Sequence, residues 1–128
     1  RSRGLGDVYK RQALSELPAT SILEGNDIFI EFKGALTEQY VLQQLISDTP
    51  YTPYYYGTEK ATFEQDFLIQ KETAIIPIEV KAETNIRSQS LKAYCDKFHP
   101  EKAVRFSTLK YMDQEWMVNI PLYAVCNL

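Results

Sequence analysis

In the run Ile76-Pro77-Ile78-Glu79-Val80-Lys81, an extended backbone sends alternate side chains to opposite faces. Ile78 and Val80 go one way, and Glu79 and Lys81 the other. On the preceding apolar run Glu64 and Asp66 share a face, with Phe67 on the reverse. Paired as a hairpin, the two segments can set Asp66 and Glu79 side by side. Glu38 can join them from a helix packed near that end of the sheet. Such a grouping has a definite chemistry. Hard cations such as magnesium or manganese take oxygen ligands, and carboxylates supply both the oxygen and the countercharge. A cation held by Glu38, Asp66 and Glu79 can acidify a bound water and steady the charge that develops on a phosphate. A lysine two residues after a ligand can orient that water or add positive charge at the phosphate. Glutamate, aspartate, glutamate and lysine are together the groups that phosphodiester hydrolysis requires. Taken alone, a Glu-x-Lys pair is commonly the solvated face of an amphipathic strand. The wider set matters more, because Glu38 stands where an apolar residue is expected.

The elements that must position these groups follow from periodicity. A helix is predicted from about Asp27 to Ser47, with Gly34, Ala35, Glu38, Val41, Leu42 and Leu45 on one face at three-and-four spacing. A turn region at Asp48-Thr49-Pro50-Tyr51 stops it. Three strands are predicted next, over Tyr54–Tyr56, Thr62–Gln70 and Ala74–Ala82, the last two joined by Lys71-Glu72-Thr73 as a hairpin. Pro77 cannot donate to a ladder and is expected at a bulge or an unpaired position. A second helix over Ile86–Phe98 has Asn85 as its expected cap, and strands follow over Lys102–Thr108 and Trp116–Ile120. The expected core is therefore α/β, in the order helix-strand-strand-strand-helix-strand, with a mixed central sheet flanked by helices.

Composition narrows the class. The 128 residues suit a single domain, and 45% hydrophobic with 24% charged residues is an ordinary globular balance. No apolar run nears the ~18 residues of a membrane span, so no membrane partner is expected. Cys95 and Cys126 show no metal-type spacing, and the plain setting is a reduced, cytoplasmic one. Residues 1–12, RSRGLGDVYKRQ, resemble a translated sequencing-adapter scar and are expected to be a non-native, disordered tail. They carry a net +3, which leaves −6 on residues 13–128. That body is not one that binds nucleic acid by charge alone.

Other polar and aromatic residues have competing readings. Arg87 and Gln89 open the second helix and can contact a substrate phosphate, as can Ser90 and Lys92, or be a solvated helix start. Tyr51, Tyr54, Tyr55 and Tyr56 can stack on bases, although packing against a helix is the more ordinary role. His99, before Pro100, reads as a surface cap.

The element order, with an acidic residue, then Asp66, then Glu79-x-Lys81, resembles the restriction-endonuclease-like PD-(D/E)XK superfamily. The blocks GALTEQYVLQQL, FEQDFLI, IPIEVKA, RSQSLKAY and NIPLYAV are similar to domain of unknown function family 4143. The resemblance covers nearly everything from Leu23 to Leu128. That family usually stands C-terminal to an AAA-type ATPase core in prokaryotic proteins. The resemblance implies a nuclease-like domain over 27–128, a connecting segment over 13–26, and an upstream ATPase as partner in the natural chain. It also places Glu38, Asp66, Glu79 and Lys81 at catalytic positions, with magnesium or manganese as cofactor and DNA or RNA as substrate. A catalytically silent docking module is the alternative it leaves. The chain has no Gly-rich phosphate-binding loop, so no ATP hydrolysis is expected from it.

Overall fold

Alternation of buried and exposed residues sets the architecture of this domain, described from a computed structural model over residues 27–57, 65–83 and 87–128. Helix α1 spans Asp27–Asp48, followed by strands β1 (Tyr54–Tyr56), β2 (Gln65–Lys71) and β3 (Ala74–Lys81). Helix α2 (Gln89–Phe98) leads to β4 (Ala103–Ser107), β5 (Met112–Asp113) and β6 (Met117–Pro121), and a 3-10 helix covers Leu122–Asn127. The tail over 1–12, the connecting segment over 13–26, Asn85 and the expected strand start at Thr62–Glu64 lie outside the described residues.

The strands form one six-stranded mixed sheet in the order β1-β2-β3-β4-β6-β5. The pairs β1-β2 and β2-β3 are antiparallel, β3-β4 and β4-β6 are parallel, and β5 returns antiparallel beside β6. The protein is thus a mixed α/β domain. Parallel pairing of β3 with β4 needs a crossover, and α2 makes it.

Period-two patterning gives the sheet two different faces. Phe67, Ile69, Ile78, Val80, Val104, Phe106 and Ile120 form one apolar face, and Val41 and Leu45 of α1 are buried against it. Glu38, on the same helical stripe, is half-buried. The helix ends where the Thr49 hydroxyl donates to the Leu45 carbonyl at 2.6 Å, just before Pro50. That bond satisfies one of the orphan acceptors of a helix end. On the reverse face Leu91 of α2 packs on Ala103 and Met117.

Some expectations shift in detail. The second helix starts at Gln89, later than periodicity suggested, with Ser88 at its N-cap and no side-chain capping bond there. Its far end closes at His99, in the left-handed region (φ 49°), whose amide donates to the Cys95 carbonyl at 2.9 Å. Pro77 is not at a bulge, for its Cα opposes Leu68 in unbroken register. However, β4 joins β3 from Ile78 onward, so one flank of the strand is open at Pro77 and an absent N–H there deprives no ladder. The β2–β3 connection is tighter than the three residues expected. Lys71 and Ala74 already pair, and Glu72 takes a positive φ of 56°, as a two-residue turn demands. The two-residue β5 and the closing 3-10 helix had no sequence signal strong enough to predict.

Removing the packing of α1 should be costly. Leu45→Ala is expected to lower stability by about 2–5 kcal/mol, whereas Ile46→Ala, at a side chain 64% exposed, should stay within about 0.5 kcal/mol. Urea unfolding of both variants checks this, and equal losses would mean α1 is not seated as described.

Candidate functional site

Register decides which charged groups meet. The β2–β3 ladder sets Phe67 opposite Ile78, and extending it by one residue sets Asp66 opposite Glu79. Directly opposed residues share a face, so Asp66, Glu79 and Lys81 all lie on the face turned away from α1. Asp66 is half-buried, and its Oδ2 accepts a 2.7 Å hydrogen bond from the Val80 amide. A side-chain oxygen thereby takes a backbone donor at the start of the hairpin.

Glu79 is 5% exposed. Its Oε1 lies 3.3 Å from Lys81 Nζ, across the i, i+2 spacing of one strand face. Its Oε2 is buried with no hydrogen-bond partner among the described residues. A carboxylate oxygen desolvated in this way is costly unless something binds to it.

Next to Glu79 in the β3–β4 register stands Arg105, and next to that, on β6, Asn119. Arg105 is 3% exposed. Its Nε donates to Asn119 Oδ1 at 2.9 Å and its Nη1 to Ser88 Oγ at 3.2 Å. Burial pushes the guanidinium pKa below its ordinary value, and the Glu79 carboxylate opposes that shift. The network continues outward. Ser107 Oγ donates to Asn119 Oδ1 at 2.7 Å and accepts from the Leu109 amide, while Asn119 Nδ2 donates to the Lys110 carbonyl at 2.9 Å. Gln65 ties β2 to α2 by donating from Nε2 to the Ser90 carbonyl at 3.0 Å.

The predicted residues are therefore distributed as follows. Asp66, Glu79 and Lys81 come together on one face. Glu38 stands on α1, whose neighbours Val41 and Leu45 pack on the other face. Arg87 and Gln89 are exposed on either side of Ser88, at the start of α2. Among the described residues no three His, Cys, Asp or Glu side chains form a group that could hold a metal ion. The tyrosines divide. Tyr56 meets Tyr94 and Phe98 edge-on at 5.5 and 5.9 Å, and Tyr55 lies 5.5 Å from Phe67, while Tyr54 is largely exposed. Cys95 and Cys126 are free thiols. Burial, and then Asp96, push the Cys95 thiol above its ordinary pKa, with Lys92 opposing, which works against thiolate chemistry.

Sequence reasoning missed Arg105, Asn119 and Ser107. A partial signal existed, since alternation puts Arg105 and Ser107 with Ala103, opposite Val104 and Phe106, and the structure buries every residue of β4. A guanidinium in a fully buried strand requires partners, and Asn119 is the polar interruption of β6.

The family model described as Domain of unknown function (DUF4143) matches residues 33–124. The chain belongs to this family. The matched span runs from α1 to the closing 3-10 helix and includes every candidate residue above. No curated protein and no solved structure matches the chain significantly. Among the described residues no helix is long and apolar enough to cross a membrane.

The Asn119 network should be structural as well as local. Asn119→Ala removes acceptors from Arg105 and Ser107 and a donor from the Lys110 carbonyl, and is expected to cost about 2–4 kcal/mol. Chemical denaturation measures it. A loss below about 1 kcal/mol would show that water replaces the asparagine.

Proposed function

We propose that this domain is a metal-dependent nuclease module with a restriction-endonuclease-like core, hydrolysing phosphodiester bonds in DNA or RNA. The observation that carries the reading is Glu79. It is a buried carboxylate with one oxygen unpartnered, on the same face as Asp66 and in contact with Lys81. Magnesium or manganese fits that donor set, because such ions are often held by one or two carboxylates, with water and substrate phosphate completing the shell. When bound, the metal supplies an acidified water and positive charge at the phosphate. The absence of a three-member cluster among the described residues is compatible with a site of this kind. Asp66 and Glu79 would hold the ion, and Glu38, on α1 over the opposite sheet face, takes no part in it.

The chain's own residues then have separate tasks. Lys81, about a third exposed at its side chain, can turn Nζ from Glu79 toward a phosphate oxygen or the attacking water. Arg105 holds Ser88, and with it the start of α2, where Arg87 and Gln89 face solvent and can meet the flanking phosphate. An AAA-type ATPase segment of the same natural chain is the partner this reading expects, and it would control access to the site.

A second reading has its own support. The net −6 of residues 13–128 opposes polyanion binding and favours a silent nuclease-like module that docks protein partners. The deciding experiment is cleavage of single- and double-stranded DNA and RNA with magnesium or manganese. Wild type should cut, and Glu79→Gln and Lys81→Ala should each lose at least about a hundredfold in rate. Cleavage kept in Lys81→Ala would remove that residue from the mechanism, and no cleavage by wild type would leave the docking module.

Ion binding can be read without turnover. A ligand that binds the folded state alone stabilises it by about 2.7 kcal/mol at a hundred times its Kd. Millimolar magnesium or manganese should therefore raise the unfolding temperature relative to a chelator. Asp66→Asn combined with Glu79→Gln should abolish that rise. An equal rise in the double variant would place the ion elsewhere on the acidic surface.

A further inference from the structure

A cavity of about 580 Å³ opens beside α1 at the carboxyl ends of the parallel strands. Lys33, Thr37 and Tyr40 line it from the helix, Ser107 and Thr108 from the end of β4, and Tyr123 from the closing 3-10 helix. Its position is tied to the candidate site twice. Ser107 is the β4 partner of Lys81 in the parallel register. The Ser107 hydroxyl also bonds Asn119, which holds Arg105 beside Glu79.

The lining has a definite chemistry. Its size falls within the ordinary range of small-ligand sites, roughly 300–1,000 Å³. Among the described residues the charged one in it is Lys33, and none of the described lining residues is a carboxylate, although residues 13–128 carry a net −6. Tyr40 and Tyr123 are 41% and 81% exposed, and Leu36, Pro121 and Leu122 give the rest of the wall an apolar character. Exposed aromatic faces with a nearby cation suit an unstacked base and its phosphate. A duplex keeps its bases stacked and offers mainly phosphate, which one lysine does not hold.

We infer that this cavity is a base-binding subsite that takes one unstacked nucleobase of a single-stranded nucleic acid against Tyr40 and Tyr123, with Lys33 at the adjoining phosphate. The inference deepens the nuclease reading and rests on it, since it makes single strands the substrate class.

Fluorescence anisotropy tests it, with the 128-residue chain in chelator and labelled oligo-dT or oligo-rU of about twelve nucleotides, within the usual site size, compared with a dT·dA duplex. At least one of the single strands should bind at least tenfold tighter than the duplex. Tyr123→Ala should weaken that binding roughly five- to hundredfold, as loss of one base–aromatic stack does, and Tyr123→Phe should preserve it. Tyr123 is mostly exposed, so neither change threatens the fold. Equal binding of duplex and single strand would overturn the subsite, as would a Tyr123→Ala variant that binds like wild type. A mononucleotide that displaced the oligonucleotide at equal concentration would also overturn it, by making the ligand a free nucleotide. The two proposals fail separately. Single-strand binding that depends on Tyr123, in a chain that cleaves nothing, upholds the subsite and removes the nuclease. Single-strand cleavage indifferent to Tyr123→Ala does the reverse.

Discussion

A guanidinium in the middle of a β-sheet loses its water, and Arg105 has done so almost completely, at 3% exposure. Burial of an unpaired charge would be prohibitive, so its surroundings are constrained. Asn119 Oδ1 must face Nε, Ser88 Oγ must reach Nη1, and the Glu79 carboxylate must stand alongside. Each condition fixes a different part of the chain. Asn119 fixes β6 against β4, Ser88 fixes the start of α2, and Ser107 with Asn119 fixes the turn after β4. Shifting any strand by one residue would move its polar member to the apolar face. The buried arginine thus works against wrong registers, although such groups are weak evidence for net stability.

The two faces of the sheet divide the labour. Under α1 the contacts are apolar and tolerant of direction, because hydrophobic burial is not directional. Under α2 a short apolar patch of Leu91, Ala103 and Met117 adjoins the polar row. Specific hydrogen bonds set distances there that packing alone would leave loose. A site whose chemistry depends on fractions of an ångström is better supported on the second face than the first. This is the side on which Asp66, Glu79 and Lys81 lie.

Much of this was legible in the sequence, for physical reasons. Val41 and Leu45 repeat at helical spacing, and Ile76, Ile78 and Val80 alternate at strand spacing, so α1 and β3 were written in local patterns. Alternation along the same run also puts Glu79 and Lys81 on one face. What local pattern cannot supply is the neighbour across a parallel ladder. Arg105 and Glu79 are 26 positions apart in sequence and become adjacent through the α2 crossover. Glu38 shows the same limit from the other side. Its helical stripe follows from local spacing, but which sheet face that stripe covers depends on tertiary packing. Ser88, not the expected Asn85, stands at the start of the described helix α2, held by a long-range bond to Arg105 that no capping rule contains.

Arg105 also alters the electrostatics expected of the site. Three clustered carboxylates would repel one another, and a divalent ion would gain by relieving that strain. Instead, Asp66 and Glu79 share their surroundings with two cations, Lys81 at 3.3 Å from Glu79 and Arg105 beside it. Local charge is close to balanced, so little repulsion remains for an ion to relieve. An incoming cation must share Glu79 with Lys81 and tolerate a guanidinium that cannot be deprotonated at ordinary pH. Under the nuclease reading, such a site binds its metal less tightly alone than with substrate present. A substrate phosphate would bring the missing negative charge and oxygen ligands, and would give Lys81 an alternative partner to Glu79. Metal and substrate would then bind cooperatively, each raising the affinity of the other by the same factor. That coupling would make the metal-induced rise in unfolding temperature larger with nucleic acid present than without it.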